Sequence, residues 1–252
     1  MATIAENIQT LRSIKSDIKN AIIQKGGSVT DAFGTYAQAI TDLPSGGGGG
    51  TEIEDALIMR TISGTYYNDR VSVVGDYAFY KCYSLTSVNM QNCTSVGSNA
   101  FYFCTSLTSV NLQNCTSIGF YAFYNCSSLA SVNIPLCTSI GDYAFRYCSK
   151  LPSINLPLCT FIGYQTFGSC SSISMAKLPI CSFIGGKGFN GCGKLTQVYL
   201  NSVTSVITIS SNTFLDCPNL TSVYVPASLV DAFKTAQCWS SISNKIVAYT
   251  EA

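Results

Sequence analysis

The sequence predicts a repeat solenoid, a β-rich stack of short parallel strands, preceded by a small α-helical module. Three observations predict this fold class. Blocks of about 22 residues recur seven times over residues 72–225, cysteines recur with the same period, and five consecutive glycines separate the blocks from a helical pattern near the N-terminus. Repeats of this length bury a hydrophobic face only by stacking on their neighbours, so an array of them forms one continuous core.

Each block contains the pattern L-x-x-V/I-x-L/I/M-x-x-C, which predicts one strand per repeat. In the first block these positions are Leu85, Val88, Met90 and Cys93. Val88 and Met90 show the two-residue alternation that is typical of a half-buried strand. Equivalent strands stacked in register would form a parallel sheet whose neighbouring strands lie about 4.8 Å apart.

The other half of each block, G-D-Y-A-F-x-x-C in the first, predicts a turn followed by buried residues. The turn begins at Gly75, and we expect Ala78, Phe79 and Cys82 to be buried. A phenylalanine recurs at the same position in every block, which predicts a continuous aromatic spine inside the solenoid. Its members are Phe79, Phe101, Phe123, Phe145, Phe167, Phe189 and Phe214.

The spacing of the cysteines favours buried thiols over a metal site. One series with a 22-residue step is Cys82, Cys104, Cys126, Cys148, Cys170 and Cys192, and a second is Cys93, Cys115, Cys137, Cys159 and Cys181. No C-x-x-C pair, the spacing of structural zinc sites, occurs in the chain. Disulfides between neighbouring repeats are sterically conceivable, but a reduced cysteine is also a good small core residue.

These residues carry a resemblance to a known family. The pattern I-G-x-x-A-F-x-x-C-x-x-L-x-x-I-x-I-P over residues 72–225 resembles the BspA-like class of leucine-rich repeat. The resemblance implies a leucine-rich-repeat stack in which Cys93 and its equivalents occupy the position of the Asn or Cys ladder. The family is known from bacterial cell-surface adhesins and from proteins encoded by gut bacteriophages, so it implies a protein that presents a binding surface.

Both ends of a solenoid need caps, because each terminal repeat would otherwise expose its core. We expect residues 51–71 to form the N-terminal cap and residues 226–252 to form a helical C-terminal cap. Pro226 and Ser228 favour the start of a helix there. Trp239 is interpreted as a plug that packs within this cap.

Residues 1–44 predict a separate helical module, joined to the repeats by a glycine linker at residues 45–50. Its apolar residues follow helical spacing. They are Ile4, Ile8, Leu11, Ile18 and Ile22 in a first helix and Phe33, Tyr36 and Ile40 in a second. The module resembles an N-terminal segment common in phage tail and fibre proteins. This resemblance implies attachment to other virion proteins, and we expect a homo-oligomer, a dimer or a trimer, formed through residues 1–44.

The composition argues against an enzyme and against a cofactor or metal site. The chain has no histidine, and Asp76 and Asp142 are the only acidic residues over residues 72–203, too far apart in the stack to act as a pair. The formal net charge is +1, so we expect no nucleic-acid partner. We also expect no signal peptide and no membrane insertion, because the N-terminus lacks an apolar core segment and no apolar run is long enough to span a bilayer.

Two sets of surface residues are candidates for ligand binding. The first is a ladder of tyrosines in the turn segments, suited to stacking on sugars or to protein contacts, and comprises Tyr77, Tyr80, Tyr102, Tyr121, Tyr124 and Tyr143. The second interrupts a Ser/Asn ladder on the last strands and comprises Met175, Lys177, Tyr199 and Tyr224. The alternative for the first set is half-buried packing between repeats, and for the second it is loss of repeat regularity without function.

These features together lead us to expect a non-enzymatic phage virion protein, a tail or fibre component at the surface of the particle. Its solenoid would bind a glycan or protein of the host surface, while residues 1–44 dock to the virion. The alternatives are a bacterial cell-surface adhesin with similar repeats and a structural protein that decorates the capsid. The lack of a signal peptide counts against the adhesin.

Overall fold

The structure is a computed structural model in which residues 63–250 are described. The predicted helical module, the glycine linker and most of the predicted N-terminal cap lie outside these residues. The residues predicted to mediate attachment, from Ile4 to Ile40, also lie outside the described residues. The predicted division of the chain into domains therefore stays a prediction.

Short strands make up most of the regular structure in this part of the chain. They are β1 (Gly64–Tyr67), β2 (Val73–Val74), β3 (Leu85–Asn89), β4 (Ser95–Val96), β5 (Ser109–Asn111), β6 (Ser117–Ile118), β7 (Ser131–Asn133), β8 (Ser139–Ile140), β9 (Ser153–Asn155), β10 (Phe161–Ile162), β11 (Met175–Lys177), β12 (Phe183–Ile184), β13 (Gln197–Tyr199), β14 (Ser222–Val225) and β15 (Ile246–Ala248). A short helix, α1, covers Val230–Thr235, and 3-10 segments cover Ala227–Leu229 and Ser240–Lys245.

The strands stack into two parallel columns that follow the length of the solenoid. The first column has the strand order β1-β3-β5-β7 and then β9-β11-β13-β14-β15, and the second has the order β2-β4-β6-β8-β10-β12. Consecutive strands pair in register, with Val88 opposite Val110 and Val110 opposite Val132. This parallel stack confirms the predicted leucine-rich-repeat fold.

The expectation of one strand per repeat was wrong for most repeats, because they contribute a second strand. This strand has only two residues, as in Ser95–Val96, and follows the second series of cysteines. Val96 is buried and Ser95 is half-exposed. Two residues are too few for strand alternation to be recognised in a sequence.

The first column is interrupted between β7 and β9, at Pro152. In earlier repeats the N–H of Thr108 donates to the carbonyl of Thr86 at 2.7 Å, and that of Ala130 donates to Thr108 at 2.8 Å. Proline has no N–H, so Pro152 cannot make the next bond of this series. The series resumes one repeat later, where Ser174 N donates to the carbonyl of Pro152 at 2.9 Å.

A third column is formed by the turns at residues 75–82 and their equivalents, and we call it the turn column. Alternate N–H groups donate to the next repeat, as from Phe79 to Ala100 at 2.7 Å and from Lys81 to Tyr102 at 2.7 Å. The intervening N–H groups close tight turns within the repeat. Because these turns require left-handed backbone, non-glycine residues with positive φ recur along the column, namely Tyr77, Lys81, Asn99, Phe103, Tyr121, Asn125, Tyr143, Tyr147, Gln165, Ser169, Lys187 and Asp216.

The predicted aromatic spine is confirmed. Adjacent phenylalanine rings are nearly parallel, with centroids 4.8 Å apart for Phe79 and Phe101 and 5.7 Å apart for Phe189 and Phe214. Tyr66 packs edge-on against Phe79 at 5.0 Å, at the first end of the spine. The seven rings therefore form one continuous stack through the core of the described repeats.

The C-terminal end of the solenoid is closed by Trp239, as predicted. Its ring is 1% exposed, packs edge-on against Phe233 of α1 at 4.9 Å and donates Nε1–H to the carbonyl of Ile207 at 2.9 Å. The cap contains the helix α1 and also a strand that the sequence did not predict, because Ile246–Ala248 forms β15 and pairs with β14. Extending the sheet satisfies backbone groups of β14 that a helix would leave unpaired.

The buried cysteines use their thiol protons in hydrogen bonds to backbone carbonyls. In the first series each Sγ from Cys104 to Cys192 donates to a phenylalanine of the preceding repeat, as from Cys104 to Phe79 O at 3.0 Å. In the second series each Sγ donates two residues ahead, as from Cys115 to Ser117 O at 3.2 Å. Small side chains that also donate a hydrogen bond therefore occupy positions where a carbonyl faces the core.

Burial also suppresses the reactive thiolate form of these residues. It raises the pKa of Cys115 and of Cys159 to about 12, and the pKa of Cys181 and of Cys217 to about 11. Thiolates are the nucleophiles and metal ligands, so these thiols stay inert at neutral pH.

Glycine is required where the turns of consecutive repeats approach most closely. A Cβ on Gly119 would lie 2.7 Å from the carbonyl carbon of Gly97 and 2.8 Å from the nitrogen of Ser98. Both atoms belong to the backbone, so neither can move without shifting the whole repeat. This contact explains why a glycine recurs at the start of each turn.

We expect Gly119→Ala to lower the free energy of unfolding by about 2 kcal/mol, because the added methyl group overpacks a rigid contact. Urea denaturation measures the change. Gly193→Ala is the matched control, since nothing among residues 63–250 lies within 4 Å of a Cβ there. Its effect should stay within about 0.5 kcal/mol. Equal losses in the two variants would contradict the close-approach argument.

We expect alkylation of the native protein by iodoacetamide to label Cys238 and to leave the other cysteines unmodified. Cys238 is half-buried, whereas the remaining twelve side chains are buried. In denaturant without reductant, all thirteen cysteines should react, as read by intact mass. Peptides joined by disulfides, or rapid native labelling of Cys104 or Cys115, would overturn this expectation.

Candidate binding surface

The six tyrosines predicted in the turn segments come together on the turn column, and we call them the tyrosine array. Tyr80 and Tyr102 stack at 5.2 Å, and Tyr102 and Tyr124 stack at 5.0 Å, with ring planes within 10° of parallel. Tyr121 and Tyr143 form a second stack at 4.6 Å. Tilted contacts join the two stacks, with 5.5 Å between Tyr121 and Tyr124. The repeat thus places these rings at regular steps.

The tyrosines of the array are only partly buried. Tyr77 is 50% exposed, and the other members are half-buried. Desolvation raises the pKa of the Tyr102 and Tyr124 hydroxyls, so both stay protonated at neutral pH. Inter-repeat packing, the alternative considered for these residues, is therefore part of their role. Part of each side chain nevertheless remains exposed to solvent.

Sequence reasoning missed residues that extend this array. Phe103 packs against Tyr102 at 4.7 Å, Tyr147 packs edge-on against Tyr124 at 5.4 Å, and Tyr164 packs edge-on against Tyr143 at 5.4 Å. Another is Arg146, whose guanidinium carbon lies 4.6 Å from the centroid of Tyr147. Arg146 stands 22 residues after Tyr124, so alignment of the repeats contains the signal that would have identified it.

The second predicted set also forms a cluster, which we call the C-terminal patch. Tyr199 and Tyr224 stack at 4.6 Å on the first strand column, and the Lys177 ammonium lies 5.9 Å from the centroid of Tyr199. Met175 lies opposite Gln197 in the paired strands. The patch and the tyrosine array occupy different columns, so they are separate surfaces.

Two further members of the C-terminal patch were not predicted. The amide of Gln197 donates to the Tyr224 hydroxyl and accepts from the Tyr199 hydroxyl, both at 3.3 Å. Tyr249 approaches both tyrosine rings edge-on, at 6.3 Å and 6.5 Å. Tyr249 follows the unexpected strand β15, which is why the sequence did not place it there.

The remaining outward residues of the first column are less available to a ligand. Asn111 donates its side-chain amide to Asn89 Oδ1 at 3.0 Å, and Asn133 donates to Asn111 Oδ1 at 2.7 Å. These amides satisfy one another along the stack. The Ser/Asn face is therefore a structural ladder and a weaker candidate than the aromatic surfaces.

Among residues 63–250, no group of three or more His, Cys, Asp or Glu could hold a metal ion. Asp76 and Asp142 accept backbone N–H groups of Ser98 and Tyr164, at 2.6 Å and 2.7 Å, and so stabilise turns. A depression of about 720 Å³ lies near the C-terminal cap, and Asp216 is the one acidic residue in its lining.

Residues 63–250 contain no helix of the length and apolarity needed to cross a membrane.

Comparisons with solved structures identify similar repeat proteins. A leucine rich cell surface protein from Faecalibacterium prausnitzii A2-165 is 32% identical, with 65% of this chain and 47% of that chain covered and a TM-score of 0.57. The T. pallidum leucine rich repeat protein is 21% identical, with 70% and 89% covered and a TM-score of 0.51. A leucine-rich repeat protein from Bacteroides ovatus ATCC 8483 is 23% identical, with 74% and 54% covered and a TM-score of 0.50.

The last two likenesses show the fold alone, and this chain spans about half the length of the first and third proteins. A search of curated protein sequences gave no significant match. A family model, the BspA type leucine rich repeat region, matches six copies over residues 59–151 and 116–244. Since these matches cover well over half of the chain, the protein belongs to the BspA-type leucine-rich-repeat family.

Proposed function

We propose that the protein is a non-enzymatic recognition protein whose solenoid binds a glycan or protein on a bacterial cell surface. The observation that carries the proposal is the tyrosine array, in which stacked rings repeat at 5.0–5.2 Å along one column. Tyrosine offers an apolar ring and a hydroxyl in one side chain, which suits both sugar stacking and protein contacts.

Preorganisation of the array supports this proposal. The backbone of the array is hydrogen-bonded between repeats: Tyr121 N donates to Asp142 O of the next repeat at 3.0 Å, and the carbonyls of Tyr102 and Tyr124 accept from the preceding repeat at 2.7 Å and 2.8 Å. The rings therefore lose little conformational entropy when a ligand binds. The array also lacks neighbouring acid–base pairs, so its chemistry favours binding over catalysis.

For the protein's location we propose the surface of a phage particle, as part of the tail or fibre. This proposal rests on the resemblance of residues 1–44 to phage tail and fibre segments, and it includes oligomerisation and docking to virion proteins through those residues. A bacterial adhesin is the second candidate. It is favoured by the similarity to a cell surface protein from Faecalibacterium prausnitzii, at 32% identity.

Replacement of Tyr80, Tyr102 and Tyr124 by alanine is expected to abolish adsorption of the purified protein to bacterial cells. Each tyrosine that acts as a binding hot spot should contribute about 2 kcal/mol, or about thirtyfold in affinity. A parallel Lys177, Tyr199 and Tyr224 alanine variant tests the C-terminal patch. Adsorption is measured by flow cytometry with labelled protein.

Tyr67→Ala is the matched control, because Tyr67 is 56% exposed but lies on β1, outside both surfaces. Protection of the buried cysteines from alkylation verifies that each variant is folded. If both triple variants fold and adsorb like the wild type, the tyrosines merely pack and the proposed surfaces are wrong.

Gold-labelled antibodies against residues 63–250 are expected to label the tails of phage particles induced from the strain that carries the gene. Electron microscopy gives the position of the label. Labelling of intact, uninduced bacteria would instead identify an adhesin. Label spread over the capsid would identify a capsid-decorating protein, and either result would contradict the tail assignment.

A further inference from the structure

Arg146 continues the central stack of the tyrosine array. Tyr80, Tyr102 and Tyr124 occupy one position in successive repeats, and Arg146 occupies that position in the next repeat. Its guanidinium carbon lies 4.6 Å from the ring centroid of Tyr147 and 5.6 Å from that of Tyr143. Nη2 donates to the Tyr147 hydroxyl at 3.0 Å. A cation is therefore held among aromatic rings at one end of the array.

The charge of Arg146 is not matched by a carboxylate within the part of the chain that the structure describes. No ion pair involves Arg146 there, and its Nε is buried without a hydrogen-bond partner. The nearby carboxylate of Asp142, in the same repeat, accepts through Oδ1 from Tyr164 N at 2.7 Å and makes no ion pair with Arg146. Leaving a buried donor unpaired is costly, and more so for a charged group.

Gln165, in the repeat that follows Arg146, also has an unpaired polar atom. Gln165 is only 7% exposed, and its Oε1 has no hydrogen-bond partner among residues 63–250, while Nε2 donates to the Tyr164 hydroxyl at 3.2 Å. A Cβ on Gly168 would lie 3.5 Å from Arg146 Cγ and 3.6 Å from Gln165 Cβ, so both residues border this glycine. Gly168 occupies the next position of the central stack, so no side chain follows Arg146 there.

We propose that Arg146, together with Tyr143 and Tyr147, forms a subsite for the carboxylate of an acidic saccharide. Sugar rings would stack along the tyrosine array while the carboxylate binds the guanidinium. The planar fork of arginine matches a carboxylate with two parallel hydrogen bonds. This inference rests on the proposed function of the array and names the class of its ligand.

The arrangement favours a saccharide with isolated carboxylates over a dense polyanion. Polyanions are bound by many cations along a groove, and their affinity grows with each neutralised charge. Here Lys81 lies 5.1 Å from the ring centroid of Tyr80, at the opposite end of the array from Arg146. The rings between these two cations carry no charge. A chain of sugars with occasional carboxylates fits this alternation of stacking surface and single cation.

Calorimetric titration of the full chain with two matched pairs of probes tests the subsite. One pair is trigalacturonate and its methyl ester, and the other is sialyllactose and lactose. Wild-type protein should bind the carboxylate member of at least one pair about tenfold more tightly than the neutral member, since each good charge-assisted contact contributes about 1.4 kcal/mol or more. Arg146→Gln should remove this preference. Arg146→Lys should restore only part of it, because an ammonium group cannot form the paired contact.

Lys150→Gln is the matched control, because it removes the same charge from an exposed side chain of the same repeat and should leave the preference unchanged. Melting temperature and cysteine protection verify the fold of each variant. The proposal is overturned if wild-type protein prefers neither carboxylate probe, or if folded Arg146→Gln keeps the preference. If the tyrosine variants lose adsorption to cells while Arg146→Gln keeps both adsorption and the carboxylate preference, the array still binds its ligand and only the acidic subsite is refuted.

Discussion

Backbone hydrogen bonds join each repeat to the next along three columns, and all other features of the solenoid depend on this register. The bonds run from Thr108 to Thr86 at 2.7 Å, from Gly97 to Val74 at 2.8 Å and from Phe79 to Ala100 at 2.7 Å. They place each residue beside its counterpart in the next repeat, at the spacing of parallel strands, about 4.8 Å. Every side chain in a regular column therefore packs against near-copies of itself.

This self-contact restricts which side chains a column can hold. Flat rings stack, as Phe101 and Phe123 do at 4.9 Å, and hydroxyls bond to the preceding repeat, as Thr116 does to Thr94 O at 3.1 Å. Like charges at the same spacing would repel one another. The low charged content of the chain, 11%, is what such a stack requires. Polarity is supplied instead by neutral groups that can donate and accept along the column.

The same register explains which features the sequence could predict. The phenylalanine spine and the six-membered tyrosine array followed from period alone, because a 22-residue offset translates directly into contact. Strand β4 and its equivalents were missed because two residues carry no recognisable alternation. Strand β15 was missed because it belongs to no repeat, and Tyr249 of the C-terminal patch was missed with it. Features that recur in every repeat could be predicted from the sequence, whereas a strand that occurs once, such as β15, could not.

Residues that depart from the pattern are therefore informative in a different way. A tyrosine at position 146 would have extended the stack of Tyr80, Tyr102 and Tyr124, whereas Arg146 ends it and brings a cation without a carboxylate partner in the described residues. Lys177 likewise stands where earlier repeats have the self-satisfied asparagine ladder. Stacking favours neither Arg146 nor Lys177, because each brings a charge to a position where the equivalent residues of earlier repeats contact one another favourably. Both departures lie beside half-buried aromatic rings, where a ligand could provide the interactions that the neighbouring repeats do not. The regular positions of this solenoid thus maintain the scaffold, and its irregular surface positions are where recognition is expected.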